Sequence, residues 1–265
     1  MKLKNNYHTH TARCGHATGL DEEYVLKAIE IGIEELGFSD HCPFEGVSQP
    51  FVRMDYSRLD EYITSINLLK EKYKDKIKIY VGLEAEYYSE VKDYYKSLLN
   101  KLDYLICGQH FALDDNRKLI YSGYETNNKA VVVDYVNRVI EAIESGFFKY
   151  IAHPDLILNA YTYRDEFIEG QMRRICEASE KRHVPLEINL EGINKQVKKG
   201  WIGKEYFYPF DYFWNIVKDY SIDVVIGADI HHPEDFLRDY DKYGYDIASR
   251  YNLHLINKID IEDKK

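Results

Sequence analysis

Apolar segments of two kinds alternate along the chain. Seven short runs rich in branched and aromatic residues predict strands at residues 3–8, 35–39, 77–84, 104–108, 150–152, 186–189 and 224–228. Longer segments with apolar residues at helical spacing predict helices at 21–31, 59–73, 91–102, 129–145, 167–181 and 209–220, with a shorter one near Ile247. This alternation predicts an α/β fold of parallel strands joined by right-handed crossovers, whose sheet closes or nearly closes into a barrel.

No linker rich in glycine, serine or proline interrupts this order, so we expect a single domain over residues 1–265. Three connections, 43–56, 112–128 and 191–208, are longer than most loops of a compact domain and are therefore candidates for function. Asp21 is the predicted N-cap of the first helix.

Composition narrows the class of protein. The formal net charge of -10 argues against a large nucleic-acid surface, and no apolar run approaches the ~20 residues that span a bilayer. The first residues lack the apolar core of a signal peptide, and the four cysteines have no paired spacing. We therefore expect a cytoplasmic protein with free thiols, acting without nucleic acid or membrane; the oligomeric state stays open.

Metal-ligating residue types follow the end of almost every predicted strand. His8 and His10 are two apart, so they share one face of an extended strand. Alone, such a pair would more often be a surface feature, and a lone His110 or His153 would more often be a core histidine. Active sites form at the carboxyl ends of parallel barrel strands, where these residues would converge: His8, His10, His16, His41, Glu84, His110, His153, Asp229 and His231.

Seven imidazoles and two carboxylates exceed the ligands that one ion uses, so this set predicts two or three ions sharing a bridging carboxylate. Mixed nitrogen and oxygen ligands fit Zn, Fe or Mn and disfavour Ca or Mg. Cys14 and Cys42 flank the ligands; a thiolate ligand is conceivable, although small buried side chains are the more common use.

The motifs that carry these residues resemble those of the PHP (polymerase and histidinol phosphatase) superfamily. They are His8-Thr9-His10, Ser39-Asp40-His41, Gly108-Gln109-His110, Ala152-His153-Pro154 and Gly227-Ala228-Asp229-Ile230-His231. The loop 10–16, Asp40-His41-Cys42-Pro43, Gly82-Leu83-Glu84 and the segment 229–235 are most similar to stand-alone histidinol-phosphate phosphatases. The resemblance extends roughly to Ala248 and implies a distorted (β/α)7, TIM-like barrel with its site at the carboxyl ends of the strands.

The resemblance also implies three divalent ions, Zn, Fe or Mn, in three ligand sets. One set would be His8, His10, Glu84 and Asp229; a second would share Glu84 and add His110 and His153; the third would be His16, His41 and His231. The implied reaction is hydrolysis of L-histidinol phosphate to L-histidinol and phosphate, a step of histidine biosynthesis. A metal-bridging hydroxide would attack phosphorus, with Glu84 and Asp229 as the catalytic carboxylates.

A phosphate group should also meet a cation of the protein. Arg164 is the first candidate, Lys199 the second, with Lys195 and Lys198 as alternatives to it, and Arg13 lies in the first loop. Acidic or aromatic groups at the rim would suit the ammonium and imidazole of the substrate, and the candidates are Glu45, Glu86, Glu191 and Tyr161.

Three other functions remain open at this point. A PHP-type phosphodiesterase or exonuclease, or a metal-dependent phosphotyrosine phosphatase, would use the same motifs. A non-catalytic metal-binding module is a third alternative. Activity on diesters, on phosphotyrosine peptides, or on no phosphate ester at all would distinguish them.

Overall fold

The computed structural model describes residues 2–200 and 207–261. Its strands lie mostly where the apolar runs predict them, although several are shorter. They are β1 (Asn5–Asn6), β2 (Glu35–His41), β3 (Lys78–Ala85), β4 (Tyr104–Cys107), β5 (Phe111–Leu113), β6 (Leu119–Tyr121), β7 (Leu186–Asn189), β8 (Asp223–Gly227) and β9 (His254–Leu255).

The strands β1 to β4 form a parallel sheet in chain order, and β7, β8 and β9 form a second parallel group. The predicted strand 150–152 is reduced to single bridges from Ile151 to Cys107 and to Leu186, which join the two groups. A further parallel bridge joins Thr9 to Ile230, just beyond the ends of β1 and β8. The sheet is therefore strongly curled, with its strands parallel as predicted.

Helices flank the sheet and contribute a large share of the buried apolar residues. They are α1 (Asp21–Ile31), α2 (Leu59–Lys72), α3 (Lys92–Lys101), α4 (Lys129–Ser145), α5 (Glu166–Arg182), α6 (Leu190–Lys199), α7 (Asp211–Val217) and α8 (Asp241–Arg250). The N-cap of α1 is Leu20 rather than Asp21, because Glu23 Oε2 accepts a 2.7 Å hydrogen bond from the Leu20 backbone N–H. Within the described residues, no helix is both long and apolar enough to cross a membrane.

The concave side of the sheet is filled at one end by tyrosines. The hydroxyl of Tyr104 donates to the carbonyls of Tyr7, at 2.7 Å, and Phe38, at 3.1 Å. Gly82 leaves the space that the ring occupies, since a Cβ there would lie 2.5 Å from a ring carbon of Tyr104. Buried tyrosine rings with bonded hydroxyls thus close the end of the curled sheet opposite the histidines.

Two of the predicted long loops contain regular structure. Residues 112–128 include most of the antiparallel hairpin β5–β6. The connection 191–208 begins as helix α6, because Asn189 caps the helix by accepting hydrogen bonds from the backbone N–H groups of Glu191 and Gly192. The apolar pattern did not predict this helix, and residues 201–206 lie outside the described part of the chain.

Candidate metal centre

The register of the parallel strands brings the predicted ligands to one end of the sheet. Residue His41 of β2 is paired with Glu84 of β3, and Glu84 is paired with Ile106 of β4. Eight of the nine predicted ligands line one open cavity of about 530 Å³, and the ninth, His8, lies buried beside Glu84 and Asp229. All nine side chains are therefore brought together.

Glu84 lies at the middle of this cluster. Its Oε1 is 2.8 Å from Nε2 of His153 and 3.5 Å from Nε2 of His110. Its Oε2 is 3.0 Å from Nδ1 of His41. Two more imidazoles have Nε2 3.6 Å from Oε2, those of His8 and His10. Both oxygens of one carboxylate thus face different histidines, which is the arrangement a bridging ligand needs.

Asp229 closes the cluster from the end of β8. Its Oδ1 lies 3.0 Å from Nε2 of His10 and 3.5 Å from Nε2 of His8. The residue has φ of 48°, a left-handed conformation that is uncommon for a non-glycine residue. Asn189 donates to Oδ2 over 3.0 Å and so leaves Oδ1 facing the histidines.

The remaining ligands lie on the solvent side. Nε2 of His231 is 3.1 Å from Nε2 of His16, and the His231 ring stacks on His10 with centroids 4.2 Å apart. Among the described residues, ligand atoms also come close in three groups that differ from the sets the resemblance implies: His10 with His41 and His231, His41 with Glu84 and His110, and His10 with Cys14 and Asp40. His41 therefore lies between the second and third implied sets.

The chemistry of the donor atoms fits divalent metal ions. In the described part of the chain, six buried atoms of these side chains lack a hydrogen-bond partner, and four of them face one another: Nε2 of His8, Nε2 of His10, Oε2 of Glu84 and Oδ1 of Asp229. Buried polar atoms are normally paired, because leaving them unpaired costs free energy. A cation that accepts both imidazole nitrogen and carboxylate oxygen satisfies all four at once, so this cluster is suited to bind divalent metal.

The electrostatics favour ionised carboxylates, which are the form that binds metal, but they divide the imidazoles. Burial lowers the pKa of His8 and of His10, but the facing carboxylates, Asp229 first, raise both above the ordinary value, that of His10 to about 9. Burial by itself raises the pKa of Glu84, but the surrounding histidines, His110 and His41 first, hold that pKa well below its ordinary value. Burial also raises the pKa of Asp229, but the surrounding histidines, His8 first, hold that pKa well below its ordinary value. Burial and the nearby His10 lower the pKa of His41 to about 3.

Three ligand histidines turn their other ring nitrogen toward an outer carboxylate. Nδ1 of His8 lies 2.8 Å from Oε1 of Glu187, and Nδ1 of His110 lies 3.2 Å from Oε1 of Glu86. Nδ1 of His10 lies 3.5 Å from Oδ1 of Asp40. Such carboxylates orient metal-binding imidazoles and raise their basicity.

These outer residues were not assigned from the sequence. Glu187 is a fully buried carboxylate inside the short apolar strand β7, and that mismatch with its neighbours was the available signal. Glu86, predicted at the rim, is instead buried. It forms an ion pair with Arg53, with 2.9 and 2.8 Å between the Nη and Oε atoms, and Arg53 also donates to the carbonyl of Cys42.

Two glycines provide the space that these carboxylates need. A Cβ at Gly108 would lie 1.7 Å from Oε1 of Glu84, and a Cβ at Gly227 would lie 1.7 Å from Oε1 of Glu187. Any side chain at either position would displace a carboxylate of the cluster, which explains glycine in both motifs.

The predicted phosphate-binding cations do not reach the cavity. Arg13 is bound to Asp21 and Glu61 over 2.7 and 2.6 Å and lines a separate cavity, because these carboxylates attract its guanidinium away from the histidines. Arg164 donates to the carbonyl of Tyr161 and stacks over Phe210, 5.2 Å from its centroid, outside the cavity lining.

Lys199 lies exposed at the end of α6 and does not line the cavity either. Lys195, one turn earlier on α6, does line it. Glu191, which also lines the cavity, is four residues before Lys195 and lies on the same face of the helix, whereas Lys198 and Lys199 lie about a turn further along α6, past the cavity lining. The alternative named for this loop is thus the lysine that the fold places at the site.

The two cysteines near the ligands are packed as thiols. Both are fully buried, and Sγ of Cys14 donates to the carbonyl of Thr11 at 3.2 Å. Burial raises the pKa of Cys42 to about 12. These features favour a packing role over a thiolate ligand.

Comparison with known proteins agrees with this geometry. The chain is 26% identical over 260 residues to the histidinol-phosphatase of Bacillus subtilis, covering 88% of this chain and 95% of that protein. It is 29% identical over 202 residues to the histidinol-phosphatase of Lactococcus lactis, covering 70% and 71%. The crystal structure of histidinol phosphate phosphatase from Lactococcus lactis, complexed with Zn, L-histidinol and phosphate, is similar in fold, with a TM-score of 0.71 at 21% identity over 98% of this chain and 100% of that one.

The sequence model of the PHP domain family matches residues 6–191. This range includes every predicted ligand except Asp229 and His231, which belong to the last motif. The match spans well over half of the chain and contains the strands β2 to β7 and every ligand histidine except His231. This protein belongs to the PHP domain family.

Proposed function

We propose that this protein is a divalent-metal-dependent phosphomonoesterase that hydrolyses L-histidinol phosphate to L-histidinol and phosphate. The observation that carries the reaction class is the convergence of four unpartnered buried ligand atoms at the floor of an open cavity of about 530 Å³. Similarity to proteins named histidinol-phosphatase, over 70 to 88% of this chain, supports the substrate.

Glu84 and the eight side chains clustered with it are the proposed ligands of three ions, with Zn, Fe or Mn as candidates. Two ions would share Glu84, because its two oxygens face different histidines. When bound, such ions lower the pKa of a coordinated water and offset the charge that develops on phosphoryl oxygens.

The chain's own groups have separate tasks in this proposal. Water attacks phosphorus, the bond between phosphorus and the ester oxygen breaks, and the ester oxygen leaves with the electron pair and takes up a proton. Asp229 lines the cavity beside the histidines and would accept the proton that the water loses. Lys195 supplies positive charge at the same wall and replaces Arg164, Lys199 and Arg13 as the preferred contact for phosphate.

We also infer that the fold is a distorted seven-stranded (β/α) barrel formed by residues 1–265 as one domain. The bridges at Ile151 and between Thr9 and Ile230 support this inference, since they continue the parallel order around the sheet. A cytoplasmic location and the absence of nucleic-acid or membrane partners stay predictions.

The test compares phosphate release from L-histidinol phosphate, an aryl phosphate and an aryl phosphodiester, using protein whose metal content is measured. A kcat/KM for L-histidinol phosphate above about 10⁴ M⁻¹s⁻¹, far ahead of the other two, is expected of a dedicated phosphatase. Faster turnover of the diester, or no turnover by metal-loaded protein, would contradict the proposal.

A further inference from the structure

One acidic residue of the cavity wall is not committed to the histidine cluster. Among the described lining residues, the carboxylates are Glu84, Asp229 and Glu191. The first two face imidazoles at 2.8 to 3.6 Å. Glu191 lies on α6 and contributes the third carboxylate of the wall. The substrate proposed above carries an ammonium group, which a carboxylate can bind.

The backbone of α6 fixes the position of Glu191. The residue occupies the first turn of the helix, where its N–H is bonded to the side chain of Asn189 over 2.9 Å. Gly192 brings the helix against the next segment, since a Cβ there would lie 2.0 Å from the carbonyl oxygen of Tyr208. The Glu191 side chain is therefore held at the wall of the cavity by a rigid element.

The carboxylate of Glu191 is only partly compensated by its surroundings. Its side chain is 13% exposed, Oε2 accepts a 2.6 Å hydrogen bond from Asn194, and Oε1 is 3.9 Å from Nζ of Lys195. The Lys195 ammonium lies over the rings of Phe207 and Tyr208, 5.3 and 5.9 Å from their centroids, and so does not close on the carboxylate. Burial raises the pKa of Glu191 to about 7 despite Lys195, as expected of a carboxylate short of positive partners.

We propose that Glu191 is the specificity-determining residue that binds the primary ammonium group of the substrate, while Lys195 on the same helix face meets its phosphate. The inference rests on the proposed function, because that function supplies a substrate with both charges. The i, i+4 spacing presents one negative and one positive group to the same cavity, complementary to an amino alcohol phosphate. Simple phosphate esters without an ammonium would leave the Glu191 carboxylate with Lys195, 3.9 Å away, as its cationic neighbour.

The experiment compares L-histidinol phosphate with its desamino analogue, 3-(imidazol-4-yl)propyl phosphate, in the metal-loaded wild type and Glu191→Gln. Glutamine retains an acceptor for Asn194 but loses the charge. We expect kcat/KM for L-histidinol phosphate to fall about 10- to 100-fold, with the analogue changed less than about twofold. Glu166→Gln is the matched control, because Glu166 lies in the first turn of α5, away from the cavity lining.

Equal loss with both esters, or no loss with either, would overturn the inference, since it would mean that Glu191 only supports the fold or does not touch substrate. A wild type that does not hydrolyse L-histidinol phosphate contradicts the proposed function instead. Inhibition of aryl phosphate hydrolysis by L-histidinol then decides the subsite by itself. A Ki raised about tenfold or more in Glu191→Gln supports it, and an unchanged Ki or no inhibition rejects it.

Discussion

Glu84 shows how much of this site depends on single atoms. Its Oε1 faces His153 and His110, and its Oε2 faces His41, His8 and His10. The Glu84 side chain is 1% exposed, so bulk water cannot supply the contacts that its two oxygens make. A glycine is needed at position 108 because a Cβ there would occupy the space of Oε1 of Glu84.

Replacing Glu84 by glutamine should therefore disable more than one metal position. An amide offers one acceptor oxygen where the carboxylate offers two, and it removes the negative charge among the histidines. We expect turnover to fall by at least about 1,000-fold, with less metal bound per chain by elemental analysis. The exposed Glu177→Gln on α5 is the control; near-normal activity in Glu84→Gln would exclude a bridging role.

Gly227 makes a second residue-scale prediction. In Gly227→Ala the new methyl group would collide with Oε1 of Glu187, 1.7 Å away, and separate Glu187 from His8. We expect metal affinity, measured by competition with a chromophoric chelator, to fall about 10- to 100-fold. Gly170→Ala on α5 is the matched control, since its Cβ would meet no atom within 4 Å. Unchanged affinity in Gly227→Ala would show that Glu187 does not support the site.

At the scale of elements, the connection 43–56 is tied to the metal centre by one buried ion pair. Arg53, 4% exposed, bonds Glu86 through two nitrogens, and Glu86 contacts Nδ1 of His110. The same connection brings Phe51 and Val52 to the cavity wall. The position of the connection 43–56 therefore depends on Glu86, the carboxylate that orients His110.

Arg53→Met should be strongly destabilising, because it leaves the Glu86 charge buried without its partner. We expect a loss of about 3–5 kcal/mol in the free energy of unfolding measured in urea. The control, Arg173→Met, removes exposed pairs with Glu169 on α5 and with Asp219, and should cost about 1 kcal/mol. Similar small losses in both variants would mean that Glu86 is neutralised by another group.

At the scale of the whole molecule, the metal cluster joins segments from both ends of the chain. His8 and Glu187 are separated by 179 residues, and His16 meets His231 across 215 residues. Ions bound there would crosslink the curled sheet across the junction of β1 and β8, where the backbone contributes the bridge from Thr9 to Ile230.

Removing metal should therefore lower the stability of the entire fold. A ligand that binds only the native state stabilises it by about 4 kcal/mol at 1,000 times its Kd, which corresponds to about 10 °C in Tm for a chain of this size. We expect chelator to lower Tm by about that amount and to abolish turnover, and we expect added Zn or Mn to restore both. A Tm and activity indifferent to chelator would contradict the metal-centre hypothesis.

The order of strands and helices, the family, and the segments that carry the candidate ligands follow from the amino-acid sequence alone. These features depend on local periodicity and on residues next to strand ends, so His41, His110 and His153 could be found without coordinates. The tertiary structure decided which charges meet. Arg13 pairs with Asp21 and Glu61, Glu86 pairs with Arg53, and His8 contacts Glu187. Each of these contacts depends on packing between segments distant in the chain. Charge pairing has no sequence period, so only the fold assigns Lys195 and Glu191 to the cavity wall.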